Sequence, residues 1–127
     1  MGLLNSIDGL GDVTAAHFLA ETHERYFANA KKLIGFAGVD PIIRESGQWK
    51  GRGRISKRGN RSLRRVLFLM SVAVIRVNPV FKEVYDRKRR EGKAYRQAVL
   101  AVSHKLLRVI HAMLQRQIPF NPALQSL

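Results

Sequence analysis

The sequence predicts an all-α domain, and three observations carry that prediction. Apolar residues recur at three- and four-residue spacing in successive segments, as the core face of a helix requires. Gly38, Pro41, Pro79, Gly92 and Pro119 punctuate those segments where helices would have to stop or start. An apolar share of 46% over 127 residues is enough to build one core and argues against wholesale disorder. The expectation is a single compact domain over residues 1–127 with about five to six helices.

The elements follow in order. Residues 12–24 read as a helix with Asp12 as N-cap and an apolar stripe of Val13, Ala16, Phe18, Leu19 and Ala20. Tyr26 to Gly38 reads as a second, with Phe27, Ala30, Leu33, Ile34 and Ala37 near helical spacing; Gly38 ends it and Pro41 enforces the stop. Residues 39–59 break the pattern. They hold Pro41, Gly47, Gly51, Gly53, Gly59 and the only tryptophan, Trp49, with little periodicity. This is a long, basic, glycine-rich exposed loop, with or without a short hairpin, and loops of such length are functional or disordered. Within it, residues 44–58 are expected to be mobile when no nucleic acid is bound.

Helical patterning then resumes. Arg61 to Val77 is apolar almost all round after Val66, which predicts the central, buried helix. Asn78-Pro79 supplies an N-cap and a proline at N1 for the next, which runs to about Glu91 before Gly92. A last helix from Lys93 to about Gln117 places Ala98, Val99, Val102, Leu106, Val109 and Met113 on one stripe, and Pro119 closes it. There is no internal repeat and no low-complexity tract.

Composition removes several function classes. Cysteine is absent, which excludes disulfides, thiol catalysis and cysteine zinc sites. The longest near-apolar run, Val66 to Ile75, falls well short of the roughly 20 residues a membrane span needs. The start lacks a basic region followed by a long apolar stretch, so no signal peptide is expected.

Charge is the dominant feature. Lys and Arg number 23 against 9 Asp and Glu, a formal net charge of +14. The excess is lopsided: residues 1–45 hold four basic and six acidic residues, whereas 46–127 hold nineteen and three. A field of that sign and density points to polyanions, above all nucleic acid. Anionic membrane is the rival, with Gly2 and Ser6 fitting the loose N-myristoylation pattern. One acyl chain anchors only marginally, however.

Two constellations carry chemistry. The segment from Ile7 to Ala16, with Gly9 and Gly11, looks like the hairpin of a helix-hairpin-helix module. Glycines there allow a tight turn whose backbone N–H groups cradle a phosphate near a helix N-terminus. Asp8 stands where that pattern often has proline, and a carboxylate beside the phosphate would weaken it; a plain αα-turn is the alternative. The second is Arg44-Glu45-Ser46-Gly47 followed by Lys50, Arg52, Arg54, Lys57, Arg58, Arg61, Arg64 and Arg65. Guanidinium groups suit bidentate phosphate contacts, and interleaved glycines let the backbone approach. Contact with about six to eight phosphates would lower affinity by about three to four decades between 50 and 200 mM salt.

These pieces, taken in order, resemble one family. The glycine hairpin, Phe36-Ala37-Gly38-Val39-Asp40-Pro41, Arg44-Glu45-Ser46-Gly47, Ile55-Ser56-Lys57-Arg58-Gly59-Asn60-Arg61-Ser62-Leu63-Arg64 and Gly92-Lys93 are similar to the C-terminal domain of insertion-sequence family one-ten transposases. These are the bridge-RNA-guided recombinases, and the resemblance covers essentially residues 4–117. It implies that Ser46 is the nucleophile, attacking a phosphodiester and holding the strand as a phosphoserine ester. Arg44, Arg52 and Arg54 are candidates for the clamp on the phosphate oxygens, by nearness in sequence.

The resemblance further implies DNA and a structured guide RNA as partners, a homo-oligomer in the full-length protein, and a location in the bacterial cytoplasm on the nucleoid. The family carries a RuvC-like N-terminal domain whose acidic tetrad binds magnesium. No such domain is present in this sequence, and its acidic residues are scattered. Taken alone, this chain is therefore expected to bind nucleic acid without cleaving it, and to hold no metal or cofactor itself.

Other residues say less. His104 and His111, and His17 and His23, lack the usual ligand spacing for a shared metal. Trp49 could stack on a base or pin the loop to the core. Arg87-Lys88-Arg89-Arg90 is a phosphate patch or simply the solvated, dipole-favoured end of a helix. The competing overall reading is a helix-hairpin-helix nucleic-acid-binding module without chemistry; the two part at Ser46.

Overall fold

A computed structural model of the chain describes residues 2–22, 27–39 and 61–122. Among the described residues there are six helices and no strand: α1 Gly2–Asn5, α2 Asp12–Thr22, α3 Ala30–Ala37, α4 Arg61–Val77, α5 Pro79–Arg90 and α6 Tyr95–Arg116. The all-α expectation holds. The expected mobility of 44–58, and the loop reading of 40–59, lie outside the described residues.

The helix ends obey local chemistry. Asn29 caps α3 by accepting from Lys32 N at 3.0 Å, so this helix begins at Ala30, later than the apolar spacing from Tyr26 suggests. Gly38, left-handed at φ 78°, ends it as expected. Asn78 caps α5 through Val80 N, with Pro79 in the first turn. Gly92, at φ 91°, turns the chain back into α6. Helix α6 ends before Pro119 is reached, because Gln117 adopts φ 57° and donates its N–H to Met113 O. Asp12 is not the N-cap of α2. Gly11 holds that position, its carbonyl accepting from Ala15 N at 3.0 Å, and Asp12 is the first helical residue, accepting from Asn5 Nδ2.

The core is the meeting of α4, α5 and α6. Helix α6 buries Ala98, Val99, Val102, Leu106, Val109 and Met113, the stripe read from the sequence, and adds Leu107 and Ile110. Its facing partner α4 buries Leu63, Val66, Leu67, Met70 and Val74. Two hydroxyls sit inside this contact. Ser71 and Ser103 Oγ lie 2.7 Å apart, each also within reach of a carbonyl one turn back, Leu67 O and Val99 O; their two protons are shared among these three contacts, so neither hydroxyl is left unsatisfied.

Two stripes differ from the periodicity. In α2 the buried residues are Ala15, Phe18 and Thr22, while Val13, Ala16 and Ala20 face outward. Alanine carries little burial energy, and Thr22 can be buried because its hydroxyl bonds Phe18 O and Leu19 O. Helix α4 is central but not buried all round: Phe68, Leu69 and Val77 are exposed.

Helix α3 is held at both ends by α6. His104 Nε2–H donates to Val39 O at 2.6 Å, and His111 Nε2–H donates to Phe27 O at 2.8 Å. The two imidazoles, two turns apart on one helix, thus grip the carbonyls that flank α3. After α6 the chain returns to the N-terminus, where Phe120 N donates to Ser6 Oγ at 2.7 Å and the Phe120 ring stacks on Phe81.

Candidate nucleic-acid interface

Ser46, together with Arg44, Trp49, Lys50, Arg52, Arg54, Lys57 and Arg58, lies outside the described residues. The site is therefore built from the flanks of that segment, Val39 on one side and Arg61 on the other. Arg61, Arg64 and Arg65 occupy positions i, i+3 and i+4 of the opening turns of α4, and so share one side of the helix.

No acidic residue occupies the first turn of α4. Three guanidinium groups therefore add to the positive end of the helix dipole, where a carboxylate would ordinarily sit. Arg61 and Arg65 are exposed, and Arg64 is half-buried. Partial burial, and then the charge of Arg61, hold the Arg64 guanidinium below its ordinary pKa. Both effects disfavour the charged form, and a bound anion would counter them. The same turn is tied to α2: Ser62 Oγ and His17 Nε2 bond at 3.1 Å, and His17 pairs with Glu21 at 3.4 Å.

Beside these arginines a groove of about 580 Å³ runs between the starts of α4 and α6 and past Val39. Arg64 and Arg96 line it together with Phe68 and Tyr95, over an apolar floor that includes Leu67 and Val99. Phe68 is 45% exposed and Tyr95 47%. Tyr95 is steadied edge-on by Tyr85, with ring centroids 6.2 Å apart. Two arginines and two exposed aromatic faces thus lie side by side, the kinds of group that phosphates and unstacked bases engage.

Phe68, Tyr95 and Arg96 were not among the sequence-predicted site residues. Phe68 belongs to a run that reads as buried, and Tyr95 and Arg96 sit far along the chain. The available signal was that a helix flanked on only part of its circumference must leave some of an all-round apolar run outside.

Of the two glycines of the first hairpin, Gly9 serves packing. Gly9 has φ 109°, and a Cβ there would lie 3.1 Å from Val74 Cα and 3.2 Å from Ala73 O. Its lack of a side chain lets the hairpin touch the α4 backbone, while Asn78 Nδ2 donates to Asp8 O at 3.3 Å. Gly11 has open space around it, and its carbonyl is the first acceptor of α2. Among the described residues no three His, Asp or Glu side chains gather to hold a metal ion, and no helix is long and apolar enough to cross a membrane.

A family model, described as the Transposase IS116/IS110/IS902 family, matches residues 1–86. The chain belongs to this family. The matched stretch takes in the hairpin, α2 to α4 and the whole basic segment, and ends before the α6 side of the groove, where Tyr95 and Arg96 stand. Over 123 residues the transposase-family chain is 39% identical to the insertion element IS900 uncharacterized 42 kDa protein of Mycobacterium paratuberculosis, covering 95% of this chain and 31% of that protein. It is 33% identical over 114 residues to the insertion element IS110 uncharacterized 43.6 kDa protein of Streptomyces coelicolor, covering 89% and 28% respectively. A pilin gene-inverting protein of Moraxella bovis is 31% identical over 122 residues, 94% of this chain and 38% of that protein. The chain thus spans roughly a third of the length of these curated relatives. No solved structure matches it.

Proposed function

We propose that this chain is the DNA-binding, serine-bearing part of an RNA-guided transposase or site-specific recombinase. It would act as an oligomer when joined to a RuvC-like domain and loaded with a structured guide RNA. The observation that carries the reading is the family match over residues 1–86, which encloses Arg44-Glu45-Ser46-Gly47 and the cations from Lys50 to Arg65. A relative whose name denotes gene inversion fits a cut-and-rejoin reaction.

In this reading Ser46 Oγ attacks a backbone phosphorus. A serine–phosphate ester forms, one bridging P–O bond breaks, the serine proton is given up, and the freed sugar oxygen leaves as a hydroxyl. Reversal with a different hydroxyl joins the new strands, so bond energy is kept and no external energy source is required. Negative charge builds on the phosphate oxygens during each transfer. Arg44, Arg52 and Arg54 are assigned to that charge, with Lys50, Lys57, Arg58, Arg61, Arg64 and Arg65 holding neighbouring phosphates.

Magnesium, bound by the RuvC-like domain, would activate the reacting oxygens. The described acidic residues of this chain do not gather into a site for it, so no step is assigned to a metal held here.

The test uses the full-length protein with guide RNA, magnesium and labelled target DNA. A denaturant-resistant protein–DNA adduct that disappears in Ser46→Ala, with binding retained, is the expected result. An adduct indifferent to Ser46, or none, would leave a nucleic-acid-binding module without chemistry.

A further inference from the structure

Helices α5 and α6 form an antiparallel hairpin, and their exposed margins enclose a second groove of about 370 Å³. From α5 it receives Glu83, Arg87 and Lys88; from α6 it receives Lys105 and Arg108, with His104 at one end. Val80, Val84 and Ala101 complete its lining. Glu83 is the only carboxylate lining the groove among the described residues, and it faces four cations.

The helix dipole accounts for part of this arrangement and fails for the rest. Arg87 and Lys88 stand in the last turn of α5, where cations are favoured, and each has a carboxylate at hand. Arg87 Nη1 bonds Glu83 Oε1 at 2.9 Å and Lys88 Nζ lies 3.5 Å from Glu91 Oε1. Lys105 and Arg108 are in the body of α6, where no dipole rewards them, and they project toward the cations of α5. Bringing like charges together in a cleft costs energy unless an anion shares it. Burial first, then Arg108 and Arg87, lower the Lys105 ammonium pKa, while Glu83 raises it.

We propose that the α5–α6 groove is a second anion site that seats backbone phosphates of a nucleic-acid strand on Arg87, Lys88, Lys105 and Arg108. Among the described residues its lining has no Phe, Tyr or Trp, so it takes the phosphodiester backbone and leaves the bases alone, which suits an intact duplex or a folded RNA stem equally. The site rests on the nucleic-acid reading above, and it adds a contact separate from the segment between Arg44 and Arg65.

The experiment titrates the 127-residue chain, its Lys105→Gln/Arg108→Gln variant and its Glu83→Gln variant with a duplex DNA and with an RNA hairpin, across a salt series. Removing two phosphate contacts should flatten the slope of log K against log salt by about 1.8 for the strand that occupies the groove, and weaken its binding by at least about tenfold in 100 mM salt. Glu83→Gln should tighten binding of that same strand, an outcome no folding defect can mimic. A change confined to DNA or to RNA identifies the occupant and upholds the site. Wild-type binding with unchanged slopes in both variants overturns the site and leaves the nucleic-acid reading standing. Failure of the wild-type chain to bind either probe overturns both.

Discussion

Helix α6 contributes to two grooves on different faces, and they are built from different chemistry. One joins the starts of α4 and α6 and combines Arg64 and Arg96 with Phe68 and Tyr95. The other, between α5 and α6, gathers Arg87, Lys88, Lys105 and Arg108 with no Phe, Tyr or Trp among the described lining residues. An aromatic face gains energy only from a base that has left its stack, whereas a cation gains from phosphate in any strand. The recombinase function proposed above would use both kinds of contact, one for paired DNA and one for opened strands. Net charge alone locates neither groove. What separates them is which residues the fold places beside the cations.

The strongest way to break the comparison is to damage the support the two grooves share. Leu106 is fully buried on α6, and Leu106→Ala should cost about 2–5 kcal/mol of stability, read by chemical denaturation, with both binding activities lost together on warming. A variant that perturbs the fold away from both grooves provides the contrast. Gly9→Ala forces a side chain into φ 109° and against the α4 backbone, and should cost about 1–3 kcal/mol while leaving both salt slopes unchanged in the cold.

Phe68→Ala sharpens the distinction between the grooves. Single-stranded DNA should bind more weakly by about 1 kcal/mol, several-fold in Kd, with duplex affinity unaltered. Equal loss for single strand and duplex would show that Phe68 supports the surface and does not stack. The smallest effect is expected from Ser71→Ala. Ser103 keeps its bond to Val99 O, so removing its partner should cost about 0.5–1 kcal/mol of stability and change neither groove.

Most of the secondary structure was legible because it follows from neighbours in the chain. Arg61–Val77 coincides with the helix read from periodicity, and Asn78, Pro79 and Gly92 mark the turns their chemistry demands. The core stripe of α6 was legible for the same reason, since large apolar residues at heptad-like spacing can share only one face. The stripe of α2 was not. Its small residues are nearly indifferent to burial, so docking against α4 chose Ala15 and left Ala16 and Val13 outside. The arginines at the start of α4 were visible as charge, while their aromatic companions were hidden in runs that look like core.

The helical class, most helix ends, the central α4–α6 pair and the strong positive charge follow from spacing, capping and composition, which need no knowledge of distant neighbours. The resemblance of its ordered motifs pointed separately to the transposase family. Tertiary structure alone decided that His104 and His111 clamp the two ends of α3, that Gly9 is needed for contact with Val74, and that cations 18 residues apart on two helices, Arg87 and Lys105, share one groove. Those facts depend on how helix faces are rotated against each other, which is fixed by the packing of the whole core and by no local stretch of chain.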